Sequence, residues 1–121
     1  MSDTMNLGEV YYQALQNKDI DAVGRLIHDD VVLSGPMMDD LHGREAFLEG
    51  CKQWFSMLIK IVSHEQFAAG DQAVFIKEVH YPEPIGMVRT ADMMTFRDGL
   101  LIKAELFYDA SPMAAMKGKD E

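Results

Sequence analysis

Cysteine is nearly absent from this sequence: Cys51 stands alone among 121 residues. Neither an intrachain disulfide nor a cysteine-rich metal centre is available. Bases are also scarce, with 11 Lys and Arg against 20 Asp and Glu and a formal charge of −9. That balance excludes the basic stripe a nucleic-acid binder needs and disfavours attachment to an anionic membrane. No apolar run approaches the roughly 20 residues of a transmembrane helix. The opening Met1-Ser2-Asp3-Thr4-Met5-Asn6 has neither a basic nor an apolar signal segment, so a cytoplasmic protein is expected. There is no glycine-rich phosphate loop. His28, His42, His64 and His80 have no ligand spacing, and Glu78-x-His80 alone is weak evidence for a metal, so neither metal nor cofactor is expected.

What is present is ordinary globular composition, 48% hydrophobic and 26% charged. The length suits one domain over 1–121, with a core over 6–110 and a frayed tail over 111–121. Leu7, Val10, Tyr11, Ala14 and Leu15 mark one helix face, with Asn6 and Glu9 as a capping box. Asp19 caps a short second helix that buries Ile20, Val23 and Ile27. Val31-Val32-Leu33 reads as a strand ending at Ser34-Gly35-Pro36, followed by a loop over 37–42. A third helix begins at Gly43, with Phe47, Leu48, Cys51, Trp54, Phe55 and Leu58 on its apolar stripe. The period then changes to two, giving strands near 59–68, 73–82, 87–97 and 100–109. Asp98-Gly99 is a strong hairpin signal. The order α-α-β-α-β-β-β-β segregates helices from strands and predicts an α+β fold, with helices on one face of a curved antiparallel sheet.

Alternation along 87–97 puts Val88, Thr90, Asp92, Met94 and Phe96 on the more apolar face. A carboxyl among such neighbours is either paired or kept protonated, because burial disfavours its charge; otherwise Asp92 is a solvated strand residue. On the last strand Ile102, Ala104, Leu106 and Tyr108 share a face toward the core or a pocket, and Asp109 points outward. The 73–82 strand leaves its inner face open, since Phe75 and Val79 compete with Val74 and Ile76.

Several strings resemble the nuclear transport factor 2-like superfamily, specifically its SnoaL-like and ketosteroid isomerase-like members. Asp19-Ile20-Asp21-Ala22-Val23 followed by Ile27-His28-Asp29-Asp30-Val31-Val32-Leu33 is similar to the helix-to-strand signature. Gly35-Pro36, His42-Gly43-Arg44-Glu45, Phe96-Arg97-Asp98-Gly99 and the closing Phe107-Tyr108-Asp109 continue the likeness across about residues 6–110. The resemblance implies a cone-shaped fold, a habit of dimerising, and a pocket for a small hydrophobic molecule. In the ketosteroid isomerase branch a Tyr and a protonated Asp form an oxyanion hole. Those positions fall on Tyr11 and Asp92, whereas the position of the catalytic base falls on Gly35, which cannot take a proton. The standard isomerase mechanism is therefore excluded. Two donors remain that would polarise a carbonyl.

The predicted pocket comprises Tyr11, Trp54, Asp92, Met94 and Tyr108. Asp40 is the candidate loop acid or base, with Asp39, His42 and His80 as weaker ones. Cys51 reads as a small hydrophobe. Ten methionines, among them Met37, Met38, Met87, Met93 and Met94, suit either core packing or an irregular apolar ligand. Two functions fit: acid/base chemistry of the isomerase, cyclase or hydratase type on a carbonyl compound, or non-catalytic binding of a small ligand or partner. A homodimer is expected through the sheet face carrying Arg89, Met93, Lys103, Glu105 and Phe107.

Overall fold

The computed structural model describes residues 2–114. Helices α1 (Ser2–Gln16) and α2 (Ile20–Leu26) precede β1 (Ile27–Ser34) and the two-residue β2 (Leu41–His42). Helix α3 (Arg44–Met57) leads into β3 (Lys60–Ala69), β4 (Gln72–His80), β5 (Met87–Arg97) and β6 (Leu100–Tyr108). The predicted order holds, with β2 added inside the expected loop. Residues 111–114 form a helical turn where a frayed tail was expected. The rest of that predicted tail lies outside the described residues.

Helix α1 starts four residues before Asn6, so the capping box does not form. Asp3 complements the helix dipole in the first turn instead, and the Thr4 hydroxyl donates to the Gly70 carbonyl at 2.6 Å, tying this turn to the β3–β4 hairpin. The buried stripe is also rotated. Val10 is exposed and Tyr12 is buried in its place, because the sheet covers Gly8, Tyr11, Tyr12, Ala14 and Leu15. Gly8 is required there, since a Cβ would sit 2.8 Å from the buried Phe75 ring. Asp19 caps α2 as predicted, accepting from the Ala22 N–H at 3.1 Å. Ile27 is buried as the first residue of β1, not on α2.

The six strands form one sheet in the order β2-β1-β6-β5-β4-β3. All pairings are antiparallel except β1 with β6, which run parallel. No short hairpin joins those two strands, so no tight turn forces them antiparallel. Register shifts at Ser63/Glu65 and Thr95/Phe96 bend the sheet around the helices. The second shift breaks the alternation on β6. Leu101, not Ile102, is fully buried beside Ala104. Asp98 and Gly99 both have positive φ, 55° and 78°, the backbone that a tight β5–β6 turn demands. The core of Val23, Ile27, Val31, Phe47, Phe75, Met94 and Leu101 fills the space between helices and concave sheet face.

Candidate active site

A cavity of about 510 Å³ opens between the concave face and helices α1 and α3. That lies within the range of roughly 300–1,000 Å³ typical of small-ligand pockets. Its walls are mostly apolar: Leu15, Leu33, Phe47, Val79, Ala104 and Leu106. Into it come four of the five predicted pocket residues, Tyr11, Trp54, Asp92 and Tyr108. Met94 does not line it and packs in the core at 1% exposure. Asp39 lines the cavity while Asp40 is exposed and does not. His80 lies on the outer sheet face, beside Glu78 at 3.2 Å, and His42 is an exposed residue outside the lining.

The inner face of β5 is the predicted one: Val88, Thr90, Asp92, Met94 and Phe96 are all buried. Asp92 is 3% exposed. Its partner is Lys77, a residue the sequence analysis did not single out. Lys77 lies on the inner face of β4 between Phe75 and Val79, 2% exposed. Phe75 pairs with Asp92 and Lys77 with Thr90, so Lys77 and Asp92 are diagonal neighbours. A long side chain spans such a diagonal, and the Lys77 Nζ stands 3.4 Å from the Asp92 Oδ2. The signal that would have found Lys77 is the need of a buried carboxyl for a counter-charge on an adjoining strand.

This pair is incompletely satisfied. The distance exceeds the ~2.7–2.9 Å of a strong charge-assisted bond. The Asp92 Oδ1 is buried with no hydrogen-bond partner among the described residues. The Lys77 ammonium has no other hydrogen-bond acceptor among them, although it lies 5.7 Å from the Tyr12 ring centre and 5.9 Å from that of Trp54. Such positions are favourable for a cation. The Trp54 indole N–H donates to the Tyr81 hydroxyl at 2.7 Å, and the Tyr108 hydroxyl donates to the Pro36 carbonyl at 3.3 Å. Both bonds fix aromatic walls of the cavity. The Tyr11 hydroxyl makes no protein hydrogen bond among the described residues and is free for a ligand.

Burial pushes the Asp92 pKa above its ordinary value, and the Lys77 charge opposes this only in part. Burial, reinforced by Cys51 and Asp92, raises Tyr11 well above the usual phenol, so it remains a protonated donor. Burial also pushes the Cys51 thiol up to about 12, which leaves it a poor nucleophile and a small apolar wall residue. A raised carboxyl pKa means the folded chain holds a proton the unfolded chain has released. The stability contribution from Asp92 is therefore full below about pH 3.9, the unfolded value, and is lost as pH rises through the folded pKa. Carbon-detected NMR of the Asp92 carboxyl should show a midpoint above that of a free aspartate. A midpoint at or below the free value would contradict this electrostatic picture.

A side chain at position 35 would need its neighbours to give by a few tenths of an ångström. A Cβ there would lie 3.3 Å from both the Leu106 Cβ and the Met38 Sδ. Among the described residues no group of three His, Cys, Asp or Glu is placed to hold a metal ion, and no helix is long and apolar enough to cross a membrane.

A curved sheet folded around three helices, with a polar pair at the bottom of an apolar cavity, defines an α+β cone protein of the nuclear transport factor 2-like fold. Residues 9–104 match the SnoaL-like domain, and the chain belongs to that family. No curated protein sequence matches it. Among solved structures, it is similar to a protein described as of known function from Kribbella flavida DSM 17836, at 18% identity and a TM-score of 0.88, covering 99% of this chain and 98% of that one. A candidate polyketide cyclase from Sinorhizobium meliloti is similar at 20% identity and a TM-score of 0.77, covering 84% and 93%. An LEH-like epoxide hydrolase from M. tuberculosis is similar at 17% identity and a TM-score of 0.78, covering 95% and 89%. At these identities the likeness is one of fold.

Proposed function

We propose that the cavity binds a small hydrophobic carbonyl compound and moves a proton on it, in chemistry of the isomerase, cyclase or hydratase type. The observation that carries this reading is that Asp92, with one carboxyl oxygen unpartnered, and Tyr11, with a free hydroxyl, line the same apolar cavity. Tyr11 donates to the carbonyl oxygen. Asp92, whose pKa burial raises, takes the adjacent carbon-bound proton. A candidate cyclase shares the fold, which is compatible with such a substrate.

The test is deuterium incorporation beside the carbonyl of a hydrophobic ketone such as tetralone in D2O, followed by mass spectrometry. The protein should accelerate exchange over buffer, and Asp92→Asn should reduce that acceleration by about 10²–10⁴-fold. Tyr11→Phe should weaken ketone binding by about 1–3 kcal/mol. The alternative is a non-catalytic small-ligand-binding or protein-interaction module of the same fold, favoured by the lack of a proton-accepting side chain at Gly35. Ketone binding without exchange would select it.

We also propose a homodimer through the outer sheet face. Phe67, Val74 and Met93 form one cross-strand row there, and Ile76, Ala91 and Phe107 form the next. Phe67 and Phe107 are 56% and 53% exposed. Contiguous apolar rows of this kind suit an isologous contact.

A further inference from the structure

We propose that Lys77 is an amine nucleophile that condenses with an aldehyde or ketone in the cavity, so that the protein binds carbonyl compounds covalently as imines. This deepens the carbonyl reading above and rests on it. The geometry supports it in three ways. Among the described residues Lys77 is the one lysine on the cavity wall, with its stem held between Phe75 and Val79 and its Nζ near the rings of Tyr12 and Trp54. Its single carboxylate contact is long, 3.4 Å, so little hydrogen bonding is lost when the nitrogen turns toward a ligand. The neighbouring Asp92 has a vacant acceptor in Oδ1 for the protons that the condensation must move. Desolvation and an adjacent general base are two of the routes by which a protein activates a nucleophile.

The Lys77 ammonium gives one proton to the Asp92 carboxylate, leaving a lone pair on Nζ. That pair attacks the carbonyl carbon, a C–N bond forms, and the C=O π pair moves to oxygen. The oxygen, held by the Tyr11 hydroxyl, takes the proton that nitrogen sheds and becomes the hydroxyl of a carbinolamine. The Asp92 carboxyl then protonates that hydroxyl, the nitrogen lone pair expels it as water, and an iminium remains on Lys77. One ammonium and one carbonyl have become one iminium and one water, and the Asp92 carboxylate is restored. Release is the reverse by hydrolysis. An iminium makes the adjacent carbon acidic, so the Asp92 proton transfer proposed above gains an electron sink.

The experiment is reductive trapping of the full chain with 6-methoxy-2-naphthaldehyde and sodium cyanoborohydride, followed by peptide mapping. Tryptophan quenching by the same aldehyde without reductant measures non-covalent binding. Lys77 should be labelled about tenfold or more faster than the exposed Lys52 and Lys60. Lys77→Gln should abolish that fast phase while leaving surface labelling intact. Because the buried pair makes single variants prone to unfold, the double variant Lys77→Met with Asp92→Leu serves as the folded control and should show the same loss. Asp92→Asn should slow labelling of Lys77 without changing that of Lys52. Quenching with label only on exposed lysines would overturn the covalent proposal and leave the carbonyl pocket standing. An absence of both quenching and Lys77 label would overturn the two together.

Discussion

Asp92→Leu, with Lys77 left in place, should destabilise the protein by about 3–5 kcal/mol, because it strands an ammonium in a nearly dry interior. Lys77 is 2% exposed and its only ion-pair partner among the described residues is Asp92. Such a loss is a large share of the about 5–15 kcal/mol that holds a domain of this size together. Lys77→Met should cost less, since an abandoned carboxyl escapes its charge by taking a proton. The double variant, Lys77→Met with Asp92→Leu, should recover most of the loss or exceed the parent by about 1–4 kcal/mol, since two well-packed apolar groups carry no desolvation cost. Urea unfolding with a constant slope reads all four corners of this cycle. Additive single effects would show that the two groups are uncoupled and that the 3.4 Å contact carries no weight.

Phe107→Asp should convert the proposed dimer, of twice 13.6 kDa, into monomer. Phe107 ends the outer apolar row that runs through Ala91 to Ile76, and its side chain is the exposed aromatic of that row. A twofold contact repeats each substitution on both copies, so one aspartate per chain brings two desolvated charges to the interface. Loss of a buried aromatic anchor costs about 2 kcal/mol or more, or roughly thirtyfold in dissociation constant. Sedimentation velocity across micromolar concentrations provides the measurement. A wild-type chain that stays monomeric there, or a Phe107→Asp chain that stays dimeric, would refute an interface at this face. Arg89 and Glu78, paired across β5 and β4 on the same face, would set the register of the two copies.

Much of this architecture is legible in the sequence because it is local. Asp19 announces α2, the Asp98-Gly99 turn announces the last hairpin, and strict alternation along β5 places Asp92 inside. What is not legible depends on distant partners. The β1–β6 pairing joins segments separated by most of the chain, and nothing near Val31 or Leu101 states its direction. Strand β2 is only two residues long and exists because β1 accepts it. The Ile102 bulge shifts Leu101 inward where an unbroken period of two would place Ile102. Lys77 is the instructive case. A lysine in a strand whose two faces are equally apolar reads as solvated, and only the depth of Asp92 across the diagonal makes it a buried cation. The candidate site was therefore half visible, as a carboxyl in need of a partner with the partner unnamed.

The glycine at position 8 bears on how α1 seats against the sheet. With no side chain there, α1 lies so close to the sheet that Phe75 comes within 2.8 Å and Met94 within 3.5 Å of where a Cβ would stand, and the buried side chains leave no room for one. On the other side, Asp39 and Gln53 are exposed residues of the cavity lining, where the chamber meets solvent.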